Sequence, residues 1–272
     1  MKWCSSYRQV AAHVNDCAQF RYPITAFSLA LELMEEHPDK QAIIEVPDLA
    51  TANLNIEKIW KLVKENPNLY FDFYKLEDYT HAAREAESRN YYFHYPLATY
   101  NAINYVLSMP GAAGITVMEP LTFEIQKVRD SVDTYAEGLC IRMVPYIARP
   151  TEYNAIADLD NGITHFWVLP QHINLYDAYV DYVDIIAGSI DRETALLNVY
   201  LQGSYILRLD AIFSNINTDM IGNFVDDAWA SRRLLCHQTC MQHGWRGCDF
   251  CKRQESIYSL LKSMSGEIQS QP

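Results

Sequence analysis

A chain of 272 residues, 49% hydrophobic and 21% charged, has the length for one large domain or two small ones, and it can bury a large core without staples. No apolar run approaches the ~20 residues of a membrane span, and a formal net charge of −12 argues against nucleic-acid binding by the whole surface. The opening "MKWCSSYRQVAAHVNDCAQ" lacks the continuous apolar core and small-residue cleavage site of a secretory signal, so the expected location is intracellular and cytoplasmic.

Residues 25–37 carry a helical pattern that Thr25 would cap. Beyond it the chain repeats. Runs of apolar and β-branched residues end in proline: "AIIEVP" at Pro47, "YYFHYP" at Pro96, "GITVMEP" at Pro120, "LCIRMVP" at Pro145 and "HFWVLP" at Pro170. The last three intervals are 24, 25 and 25 residues, and the first, of 49, is two repeats long. Inside that first interval sits "LYFDFYKLED", a strand-like run without the proline, and "DYVDIIAG" follows Pro170. Proline cannot donate to a sheet ladder, so it marks where each strand stops. Helical patterns lie between the runs, as in "NIEKIWKLVKENP" and "TFEIQKVRDSV", with Asn55, Asp78 and Thr122 as candidate caps.

A period of about 25 residues carrying a strand, a loop and a helix is a βα unit. The strands read as nearly continuous hydrophobic material, as parallel strands buried on both faces do. These features predict an α/β fold, a TIM-like (β/α) barrel spanning residues 1–190 with N-terminal helices. Seven strands are visible, which leaves an incomplete or seven-stranded barrel; "YPITAFSL" and "SYILRL" are poor candidates for an eighth. Residues 191–216 read as one long helix and 218–235 as another, beginning a helical extension over 191–272.

In such a barrel the active site forms at the C-terminal ends of the strands. The expected catalytic set there is Glu45, Asp72, His94, Glu119 and Arg142, with Tyr95, Tyr146, Trp167, Gln171 and His172 lining a substrate site. Asp184 and Ser189 belong to the last strand end. Charges inside short apolar strands are costly unless paired, so Glu45, Asp72 and Arg142 have two readings. They converge on a polar ligand as acid, base and anion holder, or they form a buried ion pair that ties strands together.

The extension contains "CHQTCMQHGWRGCDFC". Cys236, Cys240, Cys248 and Cys251 form two close pairs across a short loop, the arrangement by which four thiolates meet one ion. Zinc and an iron–sulfur cluster both fit four thiolates. Cys4, Cys17 and Cys140 are scattered and read as small buried hydrophobes. Residues 231–253 hold five basic residues, Arg246 among them, against one acid, a patch that suits an anionic partner or balances the thiolates.

The stretches "GITVMEPLTFEIQKVRDSV" and "YVDYVDIIAGSIDRETALLNVYLQ", within residues 113–200, resemble the collagenase-like peptidase family, which includes RNA and quinone hydroxylation factors. Ile185 and Ser189 stand where that family carries lysine and arginine, and "MVPYIARP" replaces its cysteine-bearing stretch. The resemblance implies a barrel, an iron–sulfur cluster on four cysteines and a modification chemistry. The expectation is a metal-containing barrel enzyme acting on RNA or a small polar or anionic substrate. Its alternative is a non-catalytic, zinc-stabilised binding or assembly module.

Overall fold

The computed structural model describes residues 1–7, 13–52, 54–93, 100–117, 121–135, 137–147, 164–186, 190–205 and 208–213, with a few isolated positions beyond them. Eight parallel strands close into a barrel: β1 (Lys2–Ser6), β2 (Cys17–Pro23), β3 (Gln41–Val46), β4 (Leu69–Phe73), β5 (Tyr91–Phe93), β6 (Ala112–Val117), β7 (Cys140–Met143) and β10 (Tyr182–Ile185). Each strand pairs with the next in sequence, and β1 closes the ring between β2 and β10. The architecture is a TIM-like α/β barrel.

Helices follow β2 to β6 and β10 in the chain. They are α1 (Phe27–Glu36), α2 (Leu49–Ala52), α3 (Ile56–Glu65), α4 (Leu76–Arg84), α5 (Tyr100–Leu107), α6 (Ile125–Tyr135) and α7 (Ile190–Gln202); α8 (Leu209–Ile212) ends the described helices. Strand alternation sends one set of side chains outward, toward helices of the first unit. Phe73 and Phe93 both meet the ring of Tyr79 on α4, at centroid distances of 6.5 and 5.5 Å. The opposite set fills the barrel. Gln41 ties its N-terminal end, accepting from Gln19 Nε2 at 2.6 Å and Tyr182 Oη at 3.2 Å, and donating to Tyr70 Oη at 3.3 Å. Cys4 and Cys17 are buried and Cys140 is partly buried, and none of the three is in a disulfide.

Several sequence expectations change. The barrel is neither incomplete nor seven-stranded, because "KWCSS" and "CAQFRYP" supply two strands ahead of the first helix. "HFWVLP" is not a barrel strand. Only His165–Phe166 (β9) is extended, and it pairs antiparallel with Tyr146–Ile147 (β8) in a separate two-stranded sheet. The chain then turns, because the backbone N–H groups of Trp167 and Val168 both donate to the Pro145 carbonyl, at 2.8 and 3.0 Å. A 3-10 helix, Pro170–Tyr176, follows. The helical pattern from residue 191 breaks at Gly203, whose φ of +66° is the left-handed conformation that ends a helix.

Among the expected caps, Asn55 holds the Lys58 N–H at 2.8 Å. Asp78 instead lies inside α4 and accepts from the Leu49 N–H at 3.0 Å. The Thr122 hydroxyl is buried with no hydrogen-bond partner among the described residues, so it caps none of their helices, and α1 starts after Ala26 without a side-chain cap. By its internal contacts the chain divides into two units, Met1–Val144 with Tyr176–Asp184, and Pro145–Leu175 with Ile185–Pro272. No helix among the described residues is long and apolar enough to cross a membrane.

Candidate active site in the barrel interior

The first unit holds a charged network inside the barrel. Arg21, on β2, directs its three nitrogens to three carboxylates. Nε donates to Glu45 Oε1 at 3.0 Å, Nη1 to Asp184 Oδ2 at 3.1 Å, and Nη2 to Asp72 Oδ2. Arg142, on β7, donates through Nη2 to Asp184 Oδ1 at 2.6 Å and to Cys4 Sγ at 3.2 Å. Its guanidinium carbon lies 4.9 Å from the centre of the Tyr92 ring, a cation–π distance.

Strand register explains the assembly. Glu45 on β3 sits opposite Asp72 on β4, and Asp72 opposite Tyr92 on β5. Thr116 on β6 sits opposite Arg142 on β7. Directly opposed residues share a face of the sheet, so all of these point into the barrel. Arg21, Asp72 and Asp184 come from alternate strands, as members of one interior layer of such a barrel do.

Burial separates the network into two parts. Arg21, Asp72, Arg142 and Asp184 are at most 1% exposed. The Glu45 side chain is 24% exposed. Glu45 is next to last in its strand, so it stands at the C-terminal end of the barrel. Tyr74 Oη donates to the same Oε1 that Arg21 holds, at 3.0 Å. Oε2 has no hydrogen bond among the described residues. Just beyond the strand ends, the Lys75 ammonium pairs with Asp48 at 2.5 Å.

The electrostatics follow from burial and charge. Burial works against the Arg21 charge, but Asp72, Asp184 and Glu45 outweigh it and hold the guanidinium pKa well above its ordinary value. Arg142 is shifted the same way, Asp184 overcoming desolvation. Burial, reinforced by Asp184, raises the Cys4 thiol well above the usual thiol range. Cys4 therefore meets Arg142 as a neutral thiol and is no nucleophile.

Of the expected catalytic residues, Glu45, Asp72 and Arg142 come together here. His94 and Glu119 lie outside the described residues, as do Tyr95 and Arg246. Tyr146, Trp167, Gln171 and His172 belong to the second unit. There Tyr146 is buried, donating through its hydroxyl to the Ile186 carbonyl at 3.1 Å and accepting from the Ile186 N–H at 2.6 Å. Trp167 is buried, whereas Gln171 and His172 are exposed on the 3-10 helix. Cys236, Cys240, Cys248 and Cys251 lie outside the described residues. Among the described residues, no group of three potential metal ligands converges.

No family model and no curated protein matches the chain. A solved structure from Aquifex aeolicus VF5, "Structural study of Project ID from Aquifex aeolicus VF5", is similar over 77% of this chain and 90% of its own, with 10% identity and a TM-score of 0.44.

Arg21, Tyr74, Thr116 and Cys4 were not among the sequence candidates. A signal for Arg21 was present, since "CAQFRYP" ends at Pro23, 24 residues before Pro47, in step with the repeat. Nothing in the sequence marked Thr116 or Cys4, which matter only through what lies across the barrel.

Proposed function

We propose that the chain is a barrel enzyme that acts on a small polar substrate at the C-terminal end of its strands, with Glu45 as the reacting carboxylate. The observation that carries this reading is the position of Glu45: it alone of the five charged residues in the network described above is open to solvent at the strand ends. Arg21 and Tyr74 fix one carboxylate oxygen and leave the other free. Such a group can take a proton from a substrate hydroxyl or amine, the work of a general base. Asp72, Asp184, Arg21 and Arg142 fit a different role. They are enclosed and paired with one another, Arg21 with both aspartates and Arg142 through Nη2 with Asp184, which favours the buried-pair reading for them, as the scaffold that positions Glu45. His94 and Glu119 are the sequence candidates for the proton donor.

The test is turnover of a panel of small sugars, polyols, amides and amines, followed by proton NMR. At least one compound should be consumed by the wild type, and Glu45→Gln should slow it by on the order of 100-fold while the circular dichroism spectrum is kept. Consumption unaffected by Glu45→Gln, or no consumption of any compound, sinks the reading.

We also propose that Cys236, Cys240, Cys248 and Cys251 hold zinc or an iron–sulfur cluster, on the support of their spacing and of the resemblance to the collagenase-like peptidase family. Metal analysis on anaerobically purified protein decides between them. A brown protein with about four irons per chain identifies a cluster, and a colourless one with about one zinc identifies a structural knuckle. Protein without metal removes the proposal.

A further inference from the structure

A groove opens at the other end of the strands from Glu45. It encloses about 570 Å³ and is lined by α3, by the segment that follows α4, and by residues where β4 and β5 begin. Small-molecule sites run from about 300 to 1,000 Å³. Trp60, Val63 and Pro67 give the groove an apolar wall. The Trp60 indole is half-buried and fixed, because its Nε1 donates to the Ala82 carbonyl at 2.8 Å. It therefore offers the groove ring surface and no donor.

Asn90 and Tyr91 also line the groove, and both are at most 6% exposed. Asn90 is held by its nitrogen. Nδ2 donates to the Pro67 and Leu69 carbonyls, at 3.0 and 2.9 Å, which commits both amide hydrogens and settles which end of the amide is oxygen. That oxygen, Oδ1, has no hydrogen bond among the described residues. A fixed acceptor beside an apolar wall is the arrangement by which a pocket orients a ligand.

Charge decides the ligand's character. Lys61 and Lys64 line the groove with Glu85 and Glu87, two residues of each sign. Lys64 meets Glu87 at 3.8 Å, and Lys61 meets Glu65 at 3.8 Å. Such exposed pairs stabilise little, but opposite signs side by side leave no net field to draw an anion or a cation.

We propose that this groove binds a flat, uncharged aromatic molecule with an N–H or O–H donor, its ring against Trp60 and its donor on Asn90 Oδ1. The site owes nothing to the reaction proposed above, since Tyr91 opens β5 whereas Glu45 is next to last in β3.

The probe is indole. Its counterparts are 1-methylindole, which lacks the donor, and indole-3-acetate, which adds a charge. The full chain is titrated with each while the Trp60 Nε1–H resonance is followed by nitrogen-edited NMR, the signal being assigned by its loss in Trp60→Phe. Indole should shift it saturably, and both counterparts should bind on the order of tenfold more weakly. Ser88→Phe, at an exposed position on the rim, should fill the groove and weaken indole by about as much, with the rest of the spectrum kept. Glu45→Gln should leave indole binding unchanged. Absence of a saturable shift means an open groove only, and overturns the inference. So does 1-methylindole or indole-3-acetate binding as tightly as indole, a comparison that needs no variant to fold. Indole binding that survives Ser88→Phe unchanged lies elsewhere, and overturns it as well.

Discussion

Arg21 is the residue on which the interior depends. Without it, Asp72 loses the ion pair that holds it and Asp184 keeps only Arg142, both wholly buried. Arg21→Met should therefore cost about 3–5 kcal/mol, read as a lower urea midpoint with an unchanged slope. Glu45→Gln should cost only about 1 kcal/mol, because that side chain keeps a neutral acceptor and reaches water. Equal losses from the two would contradict the division into scaffold and reacting group. Glu45, Asp72 and Arg142 were legible in the sequence because a charge within an apolar strand demands a partner. Arg21 was hidden by its own strand. "CAQFRYP" places Gln19 and Arg21 on the inward face, which removes the hydrophobic signature by which a buried strand is found.

At the scale of the elements, β6 leaves no room for a side chain where Gly114 faces β7. A Cβ on Gly114 would stand 1.9 Å from the Cys140 carbonyl oxygen, which is backbone and cannot swing aside. Gly114→Ala should separate these strands, leaving little soluble protein and a cost above about 3 kcal/mol in whatever folds, measured by thermal melting. Asn55→Ala, by contrast, removes one cap bond and should cost about 1 kcal/mol, with the barrel intact by circular dichroism. The proline-terminated repeat located β3 and β5 to β7 because buried parallel strands read as unbroken apolar runs. The same repeat misplaced "HFWVLP", since spacing and composition do not register that the Pro145 carbonyl captures two N–H groups and turns the chain after Phe166. Gly203 was equally silent: the apolar spacing of the helix continues through it, and only its left-handed backbone ends α7.

For the whole molecule, the packed tyrosines set an alkaline limit. Burial pushes the Tyr91 hydroxyl up to about 12, and burial also raises Tyr22, Tyr79, Tyr92 and Tyr182. The unfolded chain releases these protons near 10, and the folded one holds them longer. Their contribution to stability is therefore complete below about pH 10 and is lost as the pH climbs toward 12, by up to about 1.4 kcal/mol per pH unit for each tyrosine. Urea titrations at graded pH should show the folding free energy falling steeply over that interval. A flat profile would mean that the rings are wetter than the packing implies.

The closure of the barrel by β1 bears on how the protein is made. Lys2 donates its backbone N–H to the Asp181 carbonyl at 2.8 Å, so this strand waits for a neighbour that is synthesised much later. At translation rates of about 5–20 residues per second, that wait lasts on the order of ten to thirty seconds. During it, any sheet formed from β1 to β7 would have two open edges, each a row of unpaired N–H and carbonyl groups to which another chain can add. The nascent chain is thus most exposed to wrong partners just before β10 arrives, and crowding of ribosomes on one message would be felt there first.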